Sequence, residues 1–345
     1  MRHIILFPIC FIFLTAGKAQ SQFSTSGNEY TFLFYNTENF FDSENDSLTN
    51  DDEFTSSGDR RWNLTRFHDK ADRLAKVILA SGKWNAPAVV GLCEVENLNA
   101  LEWLTNKTAL SKFRYKIIQK DSPDERGIDV AMIYRLDLFR PFDYEAIPLS
   151  DPTDLSFRTR DILRVSGVIG ECDTVHVFVN HWPSRYGGIM ETLKYRKFAA
   201  QTLRKAILKL KSASPKAKII CMGDFNDTPR DESLAKVLEA KETGMPEVDG
   251  EMINLSAKWI LLPVQTIKSQ QTWETFDQLI ISDSFMKDES CLRIASAEIF
   301  KPDFLLEPDA KFGGVRPKRT YIGFKYQEGF SDHLPVLLRM QIANH

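Results

Sequence analysis

"IICMGDFNDTP" (residues 219–229) runs four apolar, strand-forming residues straight into Gly223, Asp224, Phe225, Asn226 and Asp227. A short apolar run bounded by turn formers reads as a buried strand. Gly, Asp and Asn are ordinary turn residues, so the fragment alone says no more than strand and turn. The same ending recurs along the chain, however. "YTFLFYN" (30–36) closes on Asn36, and "PAVVGLCEVE" (87–96) reaches Glu94 and Glu96. "VHVFVNHW" (175–182) reaches Asn180 and His181, and "TFDQLIIS" (275–282) carries Asp277. "SDHLPVLLRMQI" (331–342) opens on Asp332 and His333.

Helices are interspersed with these strands. "NLTRFHDKADRLAKVILAS" (63–81) puts Phe67, Ala71, Leu74, Ala75, Ile78 and Leu79 on one face, with Asn63 placed to cap it. "METLKYRKFAAQTLRKAILKLKSA" (190–213) carries a stripe through Leu203, Ile207 and Leu210, and "ESLAKVLEA" (232–240) reads as a shorter helix. "ILRVSGVIGECDTVHVFVNHW" (162–182) reads as a hairpin. The pattern predicts a layered α/β domain whose sheets are covered by helices. Periodicity does not separate stacked sheets from a doubly wound one.

The first residues, Arg2 and His3, an apolar run from Ile4 to Thr15 and then "AGKAQ", describe a secretory signal peptide cleaved after Ala19. The apolar run is too short to anchor the chain in a bilayer. Residues 20–29 read as a flexible lead-in, and 30–342 as one domain without repeats or long linkers. Export permits disulfides, but Cys93 and Cys221 lie in apolar runs and no CxxC pair occurs. Buried free thiols are therefore the expectation for Cys93, Cys172, Cys221 and Cys291.

A net charge of −3 gives no global attraction to nucleic acid. "DSENDSLTNDDE" (42–53) holds six acids and no base, and reads as a solvated loop lacking the glycine and spacing of a calcium-binding loop. "KFGGVRPKRTYIGFKY" (311–326) holds five bases and no acid.

Acids, amides and two histidines at strand ends are the ingredients of hydrolysis at phosphorus: hard oxygen ligands, proton carriers and amides for phosphate oxygens. Through "YNTENFFD", "LCEVEN", "VNHWPS", "GDFND", "FDQLII" and "SDHLPV", in this order over residues 30–342, the sequence resembles the endonuclease/exonuclease/phosphatase superfamily. The resemblance implies a four-layer αββα sandwich of two packed, mostly antiparallel sheets flanked by helices. It also implies a metal environment of Glu94, Asp332 and Asn36, taking Mg²⁺, with Mn²⁺ or Ca²⁺ as other occupants. His333 would be held by Asp277, Asp224 would orient or deprotonate water, and Asn226 would hold a phosphate oxygen. His181 would bond the phosphate and serve the leaving group. Arg160, Arg185, Arg316 and Arg319 are candidate phosphate contacts.

Ser331, Asp332 and His333 are too close in sequence for a serine triad, and no G-x-S-x-G elbow occurs. A non-catalytic binding module would be expected to lack an acid or a histidine that is present here. The favoured reading is an exported, monomeric, metal-dependent nuclease, because the 311–326 segment mixes bases with aromatics that suit a nucleic-acid strand. A phosphatase or phosphodiesterase acting on small or lipid-linked phosphoesters is the alternative.

Overall fold

The computed structural model describes residues 29–83, 85–150, 154, 157–243, 251–287 and 291–342. The signal-peptide reading therefore lies outside the described residues. Chain order runs β1 (Glu29–Phe40), α1 (Leu64–Ser81), β2 (Val89–Val95), α2 (Leu98–Lys107), β3 (Lys116–Gln119), β4 (Asp129–Tyr134) and β5 (Phe139–Ile147). It continues through β6 (Ile162–Ile169), β7 (Asp173–His181), α3 (Ile189–Ala213), β8 (Lys218–Asp224), a π-helical turn (Ser233–Leu238), β9 (Ala240–Glu242) and β10 (Met252–Asn254). Last come β11 (Ile267–Ser269), β12 (Thr272–Glu274), β13 (Asp277–Ser282), β14 (Leu292–Ile299), β15 (Leu306–Pro308), β16 (Val315–Pro317), β17 (Tyr321–Ile322), β18 (Lys325–Tyr326) and β19 (Val336–Ile342).

Two sheets dominate, ordered β14-β19-β1-β2-β4-β3 and β5-β6-β7-β8-β13-β10-β9. Each has one central parallel pair, β1 with β2 and β7 with β8, bridged by α1 and α3. Most other pairings are antiparallel. The inner faces meet in a core that includes Val89, Cys93, Val177, Val179, Ile220 and Met222. Gly91 marks a close approach of the two sheets, since a Cβ there would lie 2.7 Å from Met222 Cε and 3.2 Å from Val179. On the far side α3 packs Ala199, Leu203 and Ile207 against Phe178, Ile219 and Cys221. Phe67, Ala71, Leu74 and Ile78 of α1 join the larger core. The expected stacked sandwich is the architecture found, and a single doubly wound sheet is not.

Local chemistry explains several boundaries. Asn63 caps α1, its side chain accepting from Arg66 N at 3.1 Å. Two expectations fail. Cys172 and Cys291 are joined by a disulfide with Cα atoms 6.0 Å apart, tying the β6–β7 turn to the start of β14; among the described residues Cys93 and Cys221 are the buried free thiols. The apolar-run argument covered those two and did not reach cysteines outside such runs. Nor is the acidic run simply solvated, because Asp42 and Asp51 are buried. No helix of the described residues is long and apolar enough to cross a membrane.

Candidate active site

Strand register gathers the polar strand ends on one edge of the sandwich. In the second sheet His181 pairs with Asp224 across β7–β8, and Asp224 faces Asp277 across β8–β13. In the first, Asn36 of β1 pairs with Cys93 of β2. The ladder between β2 and β4 passes from Cys93 to Val95, leaving Glu94 on a bulge with φ +57°. A bulge re-aims one side chain. Glu94 and Glu96 are therefore not equivalent neighbours on one strand face. The Glu94 carboxylate accepts from Asn36 Nδ2 at 3.3 Å and Asn39 N at 3.0 Å, whereas Glu96 accepts from Asp42 N at 2.6 Å. Ser331 ties the last segment in by donating to the Asn36 carbonyl at 2.7 Å and accepting from His333 N at 3.1 Å.

Asp224 Oδ2 is the hub. Asn36 Nδ2 donates to it at 3.1 Å, His181 Nε2 stands 3.8 Å away and His333 Nε2 3.7 Å away. His181 Nε2 is also 3.9 Å from Glu94. Behind His333, Nδ1 meets Asp277 Oδ2 at 2.7 Å, so a carboxylate fixes the tautomer with the proton on Nδ1. Asp224, Asp277 and His333 place three ligand-type atoms within 4.8 Å of one another. We read this trio as a proton-carrying pair beside an acid, because Asp277 already occupies the imidazole Nδ1.

The surroundings shift the two histidines in opposite directions. Burial opposes charge on His333, but Asp277 and Asp224 outweigh it and hold its pKa well above 6.5. Burial, with the positive charges of Arg160, Arg126 and His333, holds His181 well below 6.5. Its Nδ1 is buried without a partner, leaving Nε2 as the nitrogen facing the carboxylates. Burial raises the Asp224 pKa to about 7 against the opposing pull of His333.

The predicted arginines divide. Arg319 belongs to the site: Nη2 bonds Asp332 at 2.8 Å and Nε bonds Glu38 at 3.2 Å. Arg185 is held by Asp227, Asp231 and Glu274 at 2.7–3.0 Å and lies over the Phe276 ring. Its Nε donates to the Asn226 carbonyl at 2.8 Å, so it ties the loop after β7 to the loop after β8. Arg160, buried, pairs with Asp124 at 2.9 Å and bonds the Trp182 carbonyl at 2.8 Å. Arg316 pairs with Glu307 across β15–β16, outside the cluster. These three arginines share one feature: each is paired with an acid that is not its neighbour in sequence. Asn226 donates its side chain to the Trp182 carbonyl at 3.0 Å and its N–H to Asp224 Oδ1 at 2.9 Å, so it shapes the turn below the hub.

Sequence reasoning missed Glu38 and Lys70. Glu38 bridges Arg319 and Thr320 N, and Lys70, fully buried, donates to Thr320 Oγ1 and the Phe330 carbonyl. Burial draws the Lys70 pKa down to about 8 despite Glu38 and Asp332 nearby. A lysine inside the apolar stripe of α1, between Phe67 and Leu74, was the available signal.

Among known proteins, the sequence pattern described as Endonuclease/Exonuclease/phosphatase family matches residues 31–342. Comparison with curated proteins returns no match. Solved structures share the fold at low identity. D. rerio TDP2 complexed with single strand DNA product is 15% identical with TM-score 0.55, over 91% of this chain and 99% of that one. The human Nocturnin catalytic domain with bound sulfate is 16% identical with TM-score 0.55, over 91% and 95%. An endonuclease/exonuclease/phosphatase family protein from Bacteroides thetaiotaomicron is 13% identical with TM-score 0.56, over 92% and 99%.

Proposed function

Since the chain belongs to the endonuclease/exonuclease/phosphatase family, we propose that it is a divalent-metal-dependent hydrolase of phosphoester bonds, acting on phosphodiesters of DNA or RNA. The observation that carries this reading is the Asp224 oxygen lying within 4 Å of both imidazoles, with Asp277 bracing one of them. The donor set fits a hard cation. Among the described residues the Glu94 carboxylate pairs with no lysine or arginine, and Asn36 adds an amide beside it. Glu94 and Asn36 would hold Mg²⁺, Mn²⁺ or Ca²⁺, while Asp332 shares its charge with Arg319. When bound, the ion polarises a phosphoryl oxygen and offsets charge on the leaving oxygen.

The protein's own groups do the rest. Asp224, with a pKa of about 7, accepts the proton of the attacking water as that water's oxygen bonds to phosphorus. His333 enters as imidazolium and donates from Nε2 to a phosphoryl oxygen, which leaves Asp224 as the base. His181 enters neutral and donates a hydrogen bond from Nε2 to the oxygen that departs with the electron pair of the broken P–O bond, and that oxygen takes its proton from solvent water. Asp277 keeps His333 charged and aimed.

A nucleic-acid substrate is supported by the rim. Phe324, 61% exposed, lies between β17 and β18 with the Arg60 guanidinium 5.6 Å above its ring. Tyr186, 93% exposed, follows the clamped Arg185. Exposed rings beside cations suit stacked bases and a charged backbone, and D. rerio TDP2 has been seen with single strand DNA product. The disulfide supports an exported location. Plasmid DNA, RNA, sphingomyelin and a phosphomonoester assayed with Mg²⁺ and with chelator test the proposal. Cleavage of DNA or RNA that weakens steeply with salt is expected. Salt-insensitive preference for the monoester or the lipid would overturn the nuclease reading.

A further inference from the structure

Lys70 has a place in the fold that neither its helix nor the reaction explains. It interrupts the apolar stripe of α1 and is fully buried. A buried ammonium is costly unless it is hydrogen-bonded. Among the described residues it forms no ion pair; it donates to Thr320 Oγ1 and to the Phe330 carbonyl. Those two acceptors stand on the two arms of one hairpin. The hairpin starts at Lys318, turns between β17 and β18 and returns to Phe330, whose N–H donates to the Lys318 carbonyl at 2.6 Å. At Gly329 the arms run so near each other that a Cβ would lie 2.0 Å from the Arg319 carbonyl oxygen. One ammonium clamps this closed base.

Glu38 holds the same base from β1. Its carboxylate accepts from Thr320 N and from Arg319 Nε at 3.2 Å. Around it β1 departs from regular pairing: its register against β2 shifts between Asn36 and Phe40, and Glu38 and Asn39 have φ of +51° and +56°. A bulge re-aims side chains, and left-handed backbone at non-glycine residues is costly and concentrates at functional sites. Arg319, held in this way, donates to Asp332 at 2.8 Å. The tip is open by contrast, with Phe324 61% and Ile322 39% exposed. Helix α1 begins at the end of the sandwich where β1 stops, because it returns the chain to the start of the parallel strand β2. The hairpin lies against that first turn, with the Arg66 guanidinium 4.4 Å from the centre of the Tyr326 ring. It therefore stands at the rim of the phosphoester centre.

We propose that the hairpin of residues 318–330 is the arm that guides a nucleic-acid strand into the site, and that Lys70 and Glu38 are positioning residues that fix this arm without touching substrate. The inference rests on the nucleic-acid reading given above. Arg319 meets a backbone phosphate, and Phe324, five residues on and at most about 17 Å away, stacks a base farther along the strand. A small diester such as bis(p-nitrophenyl) phosphate offers the phosphate and no strand to reach the tip.

The test uses the full chain, as wild type and as Lys70→Met, with thermal unfolding recorded for each. Binding of a fluorescent oligothymidylate is followed by anisotropy in chelator, and turnover of the oligonucleotide and of bis(p-nitrophenyl) phosphate is measured with Mg²⁺. Lys70→Met should bind the oligonucleotide roughly tenfold more weakly, about the loss of one stacked base. Its kcat/KM should fall about tenfold further on the oligonucleotide than on the small diester, chiefly through KM. Thr320→Val removes the hydroxyl acceptor and gives the same comparison if Lys70→Met does not fold. Wild-type affinity in both variants, or equal losses on both substrates, would overturn the arm and leave the nuclease reading standing. A wild type that does not bind the oligonucleotide would end both. Binding without turnover would count against the hydrolase reading alone, and the anisotropy comparison then decides the arm.

Discussion

Replacing Asp277 by Asn removes the carboxylate 2.7 Å from His333 Nδ1 while keeping the shape of the side chain. Breaking one partner of a buried charged pair costs roughly 3–5 kcal/mol. Losing that carboxylate lowers the pH at which His333 gives up its proton. Asp224 remains near the ring and holds back part of that fall. The variant should therefore release the His333 proton at a lower pH than wild type, with Nδ1 facing an amide in place of a carboxylate. Positioned acid–base groups contribute ~10²–10⁴ in rate, and a loss in that range is expected. Rate–pH profiles on a phosphodiester, paired with NMR titration of the His333 ring, measure both consequences. Stability should change in a defined direction as well. Because the native pKa of His333 lies above 6.5, the pair stabilises the fold fully below 6.5 and loses that contribution as pH rises through the native value. Asp277→Asn should erase this alkaline loss. A variant with wild-type rate, profile and ring titration would refute the reasoning.

Other perturbations follow from the same contacts. Cys172→Ser with Cys291→Ser opens a loop of 119 residues and should cost about 2–4 kcal/mol, read as a fall of several degrees in Tm. Gly91→Ala drives a Cβ to 2.7 Å from Met222 Cε and should destabilise by roughly 1–3 kcal/mol in denaturant titration. His176 is held at a pKa of about 4 by burial and Arg164; its contribution is present above 6.5 and lost as pH falls through 4. His176→Gln should flatten acid unfolding over that window. Arg319→Gln should reduce the salt dependence of nucleic-acid binding if Arg319 faces the backbone, measured as a lower slope of affinity against salt.

What could be read from sequence divides along physical lines. Polar strand ends were legible because apolar runs ending in acids, amides and histidines are local patterns, and register then places them together. The stacked architecture was not legible from periodicity. Each half is locally β-helix-β, β1-α1-β2 and β7-α3-β8, which a doubly wound sheet also has. The difference is made by β19 entering beside β1 and β13 beside β8, pairings across long stretches of chain that leave no local period. The bulge at Glu94 was invisible for a similar reason, since it depends on which residues of β4 stand opposite. The ion pairs of Arg185 and Arg160 were not legible because their partners, Glu274 and Asp124 among them, are distant in sequence. Lys70 and Glu38 were readable in principle, one breaking an apolar stripe and the other two residues beyond Asn36 on the same strand.

The most direct measurement is hydrolysis of bis(p-nitrophenyl) phosphate by the purified chain, run with Mg²⁺, with chelator, and with Asp224→Asn. Turnover that requires the ion and collapses in Asp224→Asn, with folding intact by circular dichroism, is the predicted result. Turnover that survives the chelator, or persists undiminished without the Asp224 carboxylate, would contradict the account.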